Sequence, residues 1–271
     1  MQFQTFQRFS SVIRSLSANE LVGAPTLFDK LRITGDSSVE VCYAPFEYIN
    51  EKAQVVIVGI TPGQTQMLNA IKECRRQLDA GASDIDALRA AKLTGAFSGA
   101  MRPNLVGMLD AIGLQRLLGI STCDDLFGKS SHLAQTTSVL RNPVFVIEGA
   151  LVAGKSIRAL NNYNGTPNMT KHALLKKQVI DGFGHDVKTL PNAIYLPLGD
   201  KVAVGLNMLV DLGLMDKTKI IEGLPHPSPA NSERIAYFLG KKAKADLSAK
   251  TNAAKIDSQK AAILAKMKSL V

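Results

Sequence analysis

Four aliphatic residues in a row, Val55-Val56-Ile57-Val58, run into Gly59-Ile60 and then a tight Thr61-Pro62-Gly63 turn, after which Gln64 to Leu78 reads as a helix. An unbroken apolar run fits a strand buried on both faces, as in a parallel sheet. A strand that ends in a Pro/Gly turn and opens a helix places backbone N–H groups at the carboxyl edge of the sheet. That edge is where open α/β folds bind ligands. A second stretch, Gly223-Leu224-Pro225-His226-Pro227-Ser228-Pro229-Ala230-Asn231, follows the predicted strand Lys219–Glu222 about one domain-length later.

The remaining periodicities fill in between these two points. Phe3, Phe6, Phe9, Val12, Ile13 and Leu16 have helical spacing. Residues 37–43 alternate and predict a strand. Residues 64–92 predict two helices broken near Gly81-Ala82-Ser83, with Ser83 as the N-cap and Asp84 and Asp86 in the first turn. Residues 105–118 predict a short helix pair turning at Gly113. Thr136–Leu140 and Val144–Ile147 are β-branched runs, Gly154–Met169 is polar with an evident loop at Asn161–Pro167, and 171–181 reads as a helix. Ala193–Leu198 predicts a strand, Lys201–Leu212 and Glu233–Gly240 helices, and residues 241–271 an amphipathic helix with Ile256, Ile263, Met267 and Leu270 on one side. The repeated strand–helix order predicts an α/β sandwich around a short parallel sheet.

Charge and cysteine content narrow the class. The net charge is +9, from 32 basic and 23 acidic residues, which points to phosphate-rich partners. The last 31 residues alone carry +6. Three scattered cysteines, Cys42, Cys74 and Cys123, provide neither a disulfide framework nor a metal-ligand spacing and fit a reducing, cytoplasmic setting. No apolar run approaches the ~20 residues of a membrane span, and the N-terminus lacks the layout of a signal peptide.

Three segments together resemble the uracil-DNA glycosylase superfamily. Gly59-Ile60-Thr61-Pro62-Gly63 is similar to its first motif, which reads GMNPG in the single-strand-selective branch and GINPG in the mismatch-specific branch. His226-Pro227-Ser228-Pro229-Ala230-Asn231 is similar to its second, HPSPRN. Gly95-Ala96-Phe97-Ser98-Gly99 resembles the segment whose phenylalanine stacks on the extruded base, and Ile194–Gly199 the strand that ends in Leu-Gly. The likeness runs from about residue 50 to 240, in the right order.

The resemblance implies a three-layer α/β/α sandwich around a short, mainly parallel four-stranded sheet. It implies one domain over 1–240, followed by the lysine-rich helix 241–271, and a monofunctional DNA glycosylase acting as a monomer with no metal or organic cofactor. Its partner would be DNA, held by the flipped base and the phosphate backbone. Cleaving an N-glycosidic bond leaves negative charge on the base and positive charge on the sugar, so a site must stabilise the departing anion and admit water. His226 would donate to the base and Thr61 would hold the water. Phe97, Ser138, Asn142, Gly59 and Ile60 would surround the base. Pro62, Gly63, Gln64, Pro227, Ser228, Pro229, Asn231, Arg234 and Arg102 would meet the DNA backbone or groove.

Two positions depart from the family. Thr61 stands where members usually carry Asn or Asp, and Ser138, with Asn142 a few residues on, stands where many carry the Asn that reads uracil. These departures favour a non-uracil or enlarged pyrimidine, such as a hypermodified phage base, over ordinary uracil repair. The iron–sulfur cluster of the thermophilic branch needs four cysteines and is excluded. Each residue also has a plainer reading: Thr61 and Asn142 as turn formers, Phe97 as core, His226 as a stiff loop residue. A non-catalytic DNA-binding protein and a hydrolase of free nucleosides are the rival functions.

Overall fold

The computed structural model describes residues 4–152 and 155–270. In chain order the helices are α1 (Gln4–Ser15), α2 (Pro25–Leu31), α3 (Gln64–Asp79), α4 (Asp84–Gly95), α5 (Met101–Ala111), α6 (Leu114–Leu117), α7 (Ala173–Gln178), α8 (Gly184–Thr189), α9 (Asp200–Asp211), α10 (Ser232–Phe238) and α11 (Ala253–Lys268). The strands are β1 (Arg32–Gly35), β2 (Val39–Cys42), β3 (Val55–Gly59), β4 (Ala134–Ser138), β5 (Val144–Val152), β6 (Lys155–Asn162) and β7 (Ile194–Pro197). Contacts group them into two compact units: residues 1–49, 60–96 and 138–185, and residues 50–59, 97–137 and 186–271.

The first unit holds a four-stranded antiparallel sheet in the order β1-β2-β5-β6. Asp36 makes the β1–β2 turn, its carboxylate accepting from the N–H groups of Ser38 at 2.8 Å and Val39 at 3.0 Å, the local bond that makes Asp a turn former. The helical spacing read from Phe6 onward is α1, which buries Phe6, Phe9 and Ile13; Phe3 lies outside the described residues. These residues join Leu27, Leu31, Met67, Ile71 and Leu88 in one apolar cluster. Within it Phe9 stacks on Tyr43 at 4.6 Å and Phe28 meets Phe145 edge-on at 5.0 Å. Ser83 caps α4 as expected, accepting from the N–H of Asp86. Gly95 closes the α3–α4 pair: a Cβ there would come within 2.9 Å of Ala70 Cβ.

The second unit is built on the sheet β4-β3-β7, in which β3 and β7 run parallel. Val55, Val56, Ile57 and Val58 are fully buried, as the continuous apolar run requires. The expected last strand, 219–222, is reduced to one isolated parallel bridge, Tyr195 to Ile220, and a second bridge, Leu198 to Leu224, follows just beyond it. The molecule is therefore mixed α/β with a largely parallel three-stranded sheet, and it carries a second, antiparallel sheet that the sequence does not announce.

That second sheet escapes because β6, Lys-Ser-Ile-Arg-Ala-Leu-Asn-Asn, falls in a stretch that reads as polar and runs into the expected loop. Strands with one solvated face carry a weak apolar signal. Gly154, the first residue of that polar stretch, lies outside the described residues. The C-terminal helix is shorter than expected. It spans 253–268, capped by Asn252 accepting from the Lys255 N–H, while residues 242–251 fold around the carboxylate of Glu233. Ile256, Ile263 and Met267 are buried as expected, and Leu270 is exposed.

Candidate functional site

The strand β7 ends at Pro197, and Gly199 follows with φ of 93°. A Cβ on Gly199 would sit 3.3 Å from His226 Cβ, so a glycine here lets the His226 loop close on the end of the strand. The Gly199 N–H donates to the carbonyl of Leu224 at 2.9 Å and holds the loop's entry in place.

Within the loop, both flanking carbonyls are taken by asparagine amides. Asn231 Nδ2 donates to the His226 carbonyl at 3.2 Å, and Asn104 Nδ2 donates to the Pro227 carbonyl at 3.0 Å. The Ser228 hydroxyl accepts from the Ala230 N–H, and the Asn231 N–H returns to the Ser228 carbonyl at 2.8 Å. With prolines at 225, 227 and 229 fixing φ, few backbone freedoms remain.

This geometry sets the imidazole. The Ser228 N–H donates to His226 Nδ1 at 3.2 Å. A nitrogen that accepts carries no proton, so the neutral ring holds its proton on Nε2 and donates from there. Burial pushes the His226 pKa below its ordinary 6.5, which favours that neutral form. The side chain is thus a fixed, uncharged N–H donor in a partly dry loop.

Phe97 lies in the same unit, in the turn between α4 and α5. It has φ of 49°, and among the described residues it alone combines a positive φ with a side chain. The residue is 5% exposed. A bulky residue in the left-handed region is strained by roughly 1–3 kcal/mol and persists where its surroundings hold it. Next to it, Ser98, Gly99, Arg102, Pro103, Val106, Gly107 and Asp124 line a cavity of about 570 Å³. The Arg102 guanidinium lies over the Phe127 ring, 4.5 Å from its centre. Arg234, expected to meet DNA, points its guanidinium at Asn231 Oδ1 (3.1 Å) and at the Lys250 carbonyl (3.2 Å).

The first unit carries Ile60, Thr61, Pro62, Gly63, Gln64, Ser138 and Asn142. Gly59 closes β3 in the second unit, and the chain enters the first at Ile60. The Thr61 hydroxyl donates to the Asn142 carbonyl at 2.9 Å and accepts from the Val144 N–H at 3.1 Å. It ties the motif turn to the start of β5, and one lone pair is left to accept from a water. Pro62 is buried, and the Gln64 N–H, expected to face phosphate, donates instead to Asn162 Oδ1 at 2.9 Å. Gly63 passes 3.5 Å, as a virtual Cβ, from that same Oδ1. Ser138 ends β4 part-exposed, and Asn142 is part-exposed in the following turn. Ser228, Pro229 and Asn231 sit on the loop already described, with Pro229 exposed and Pro227 buried.

Asn104 and Gly199 are the positioning residues that the sequence reading passed over. Each acts on a loop far along the chain, and Asn104 lies 123 residues from its acceptor, so only the Leu-Gly ending of the strand carried any signal. The cysteines are free and buried, and among the described residues no group of three or more His, Cys, Asp or Glu is placed to hold a metal ion. No helix among them is long and apolar enough to cross a membrane.

Over 242 residues the chain is 30% identical to the uncharacterized protein YoxB of Bacillus subtilis (strain 168), covering 88% of this chain and 90% of that protein. No protein-family model matches the chain, and no solved structure does.

Proposed function

We propose, for a chain that belongs to the family of Bacillus subtilis YoxB, that it is a monofunctional DNA glycosylase. It flips a pyrimidine-type base and releases it by hydrolysis, leaving an abasic site. The observation that carries this reading is His226: a neutral imidazole whose Nδ1 accepts from the Ser228 N–H, leaving Nε2–H as a preset donor in a stiff loop at the end of a parallel sheet. In the reaction the bond between the sugar C1′ and the base nitrogen breaks, and its electron pair goes to the base. Nε2–H stabilises the resulting anion without giving up its proton. A water oxygen then bonds to C1′ and loses one proton to solvent.

A fixed donor aimed at a developing anion needs no reorganisation in the transition state, which is where such donors are worth most. A neutral ring is also the right choice, because a charged one would lose the Ser228 contact. No general base is assigned: Thr61 has no carboxylate, and its hydroxyl can offer a water only one lone pair. The reaction then depends on leaving-group stabilisation more than on nucleophile activation. In this reading the fold is the superfamily's three-layer sandwich, with the bridges at Ile220 and Leu224 supplying the fourth parallel position. The short Ser138 in the uracil-reading position admits a base larger than uracil.

The commitment of the Thr61 hydroxyl to backbone partners favours a second reading, a DNA-binding protein of the same fold that performs no excision. Mass spectrometry of bases released by the purified protein separates the two. The panel is DNA containing uracil or oxidised, deaminated or hypermodified pyrimidines. Release of one of them, with an abasic site left behind, is the expected result. Tight DNA binding with no base released from any member would support the second reading.

A further inference from the structure

Most cations of the lysine-rich C-terminal segment have partners within the second unit. Lys242 pairs with Glu233 at 2.8 Å, Lys244 with Asp257 at 3.3 Å and Lys255 with Asp200. Lys266 Nζ donates to the Ile220 carbonyl at 2.7 Å, and Lys260 Nζ to the Phe238 carbonyl. Five of the eight lysines beyond residue 240 are thus spent on the second unit itself.

The anchors fall at three points around the His226 loop. Before the loop, Gly223 has φ of 116°, and a Cβ there would lie 2.9 Å from Gln259 Cβ and 3.2 Å from Ile263 Cδ1. Helix α11 therefore rests on the backbone three residues ahead of His226. Beside the loop, Asp200 follows Gly199, which packs against His226, and its carboxylate takes Lys255 and Gln259. After the loop, Arg234 joins the Lys250 carbonyl to Asn231 Oδ1, and the amide of the same Asn231 holds the His226 carbonyl. Next to Arg234, Glu233 gathers Lys242, Ser248 and Thr251. These bonds hold its carboxyl well below the usual range, Lys242 first among them.

We propose that residues 242–268 form a clamp that sets the position of the His226 loop, with Arg234 as the positioning residue that transmits it through Asn231. The assignment rests on His226 being the base-contacting donor; the clamp itself is a property of the loop and is measurable without any base release. Arg234 is on this account a structural relay to the loop and not a phosphate contact.

The test uses the full chain with ¹⁵N-labelled histidine and the variants Arg234→Ala, Arg234→Lys and Lys255→Ala. Nitrogen chemical shifts of the His226 ring report the Nδ1 contact with Ser228 directly. The expected result is a shifted or doubled His226 ring signal in Arg234→Ala and Lys255→Ala, with folding retained. Where base release is measured, kcat falls about 10-fold, since small misplacements of a catalytic group are costly, while KM and the salt dependence of DNA binding stay unchanged. Arg234→Lys cannot bridge two acceptors with a planar fork and restores little. An unaltered ring signal in both alanine variants would overturn the clamp. So would a loss confined to DNA affinity with a shallower salt dependence. A wild type that releases no base would sink the glycosylase reading and leave the ring signal to judge the clamp.

Discussion

Thr61 joins two backbone groups of the Asn142–Val144 segment, so its first effect is on stability. Thr61→Ala leaves a part-buried carbonyl and N–H without their partner and is expected to cost about 1–3 kcal/mol, read as a lowered denaturation midpoint. Thr61→Ser keeps the hydroxyl and is expected to recover most of it. His226 supplies a pH dependence whose sign is set by burial. Its folded pKa lies below the unfolded 6.5, so the folded state binds fewer protons. Its contribution to stability is complete above the unfolded value and is lost as pH falls through the folded one. His226→Asn is expected to flatten acid denaturation below about pH 6.5, as seen in midpoints at successive pH values. Phe97, at 5% exposure, is expected to behave as core when truncated: Phe97→Ala costs about 3–5 kcal/mol. Phe97→Leu keeps most of the volume and removes the flat face. A Leu variant that folds and has lost base release would mark the ring as the platform; one with full release would return Phe97 to packing. The turn at Thr61 and the His-Pro loop were legible in the sequence because Pro and Gly announce themselves locally. The partners that fix them were not, since the Thr61 acceptor is 81 residues away and Asn142 by itself reads as a turn former.

Among the elements, α1 and the C-terminal helix show how far periodicity reaches. The apolar spacing of α1 was plain, yet nothing in it shows that Glu47 lies at its start. Burial raises the Glu47 carboxyl to about 7, against the opposing pull of Arg141 and the Phe6 N–H. With the folded pKa raised, its contribution is complete below 4.5 and lost as pH rises through about 7. Glu47→Gln is therefore expected to gain stability relative to wild type between about pH 6 and 8, measured as the difference in denaturation midpoint. Strands buried on both faces were legible because they are continuous apolar runs. β1 and β6 were not, because short or half-solvated strands carry few apolar residues, and the tertiary pairing with β2 and β5 decides them. In the C-terminal segment the apolar stripe marked the helix, but its lysines suggested an open charged face. Their carbonyl and carboxylate partners lie in other elements and only the fold brings them together.

For the molecule as a whole, the net charge of +9 remains the ground for DNA as partner. The affinity for DNA is expected to fall at least about 10-fold between about 50 and about 200 mM salt, through release of counterions from neutralised phosphates. Because most of the C-terminal lysines are engaged internally, that dependence should come chiefly from the rest of the chain. The central claim is narrower than DNA binding: a neutral His226 stabilises a departing base. The direct measurement is the single-turnover rate of abasic-site formation by wild type and His226→Ala on DNA carrying the base the protein releases. The account predicts a loss of at least about 100-fold with the fold intact, the worth of one preset donor to a developing anion. Equal rates for the two proteins would contradict it.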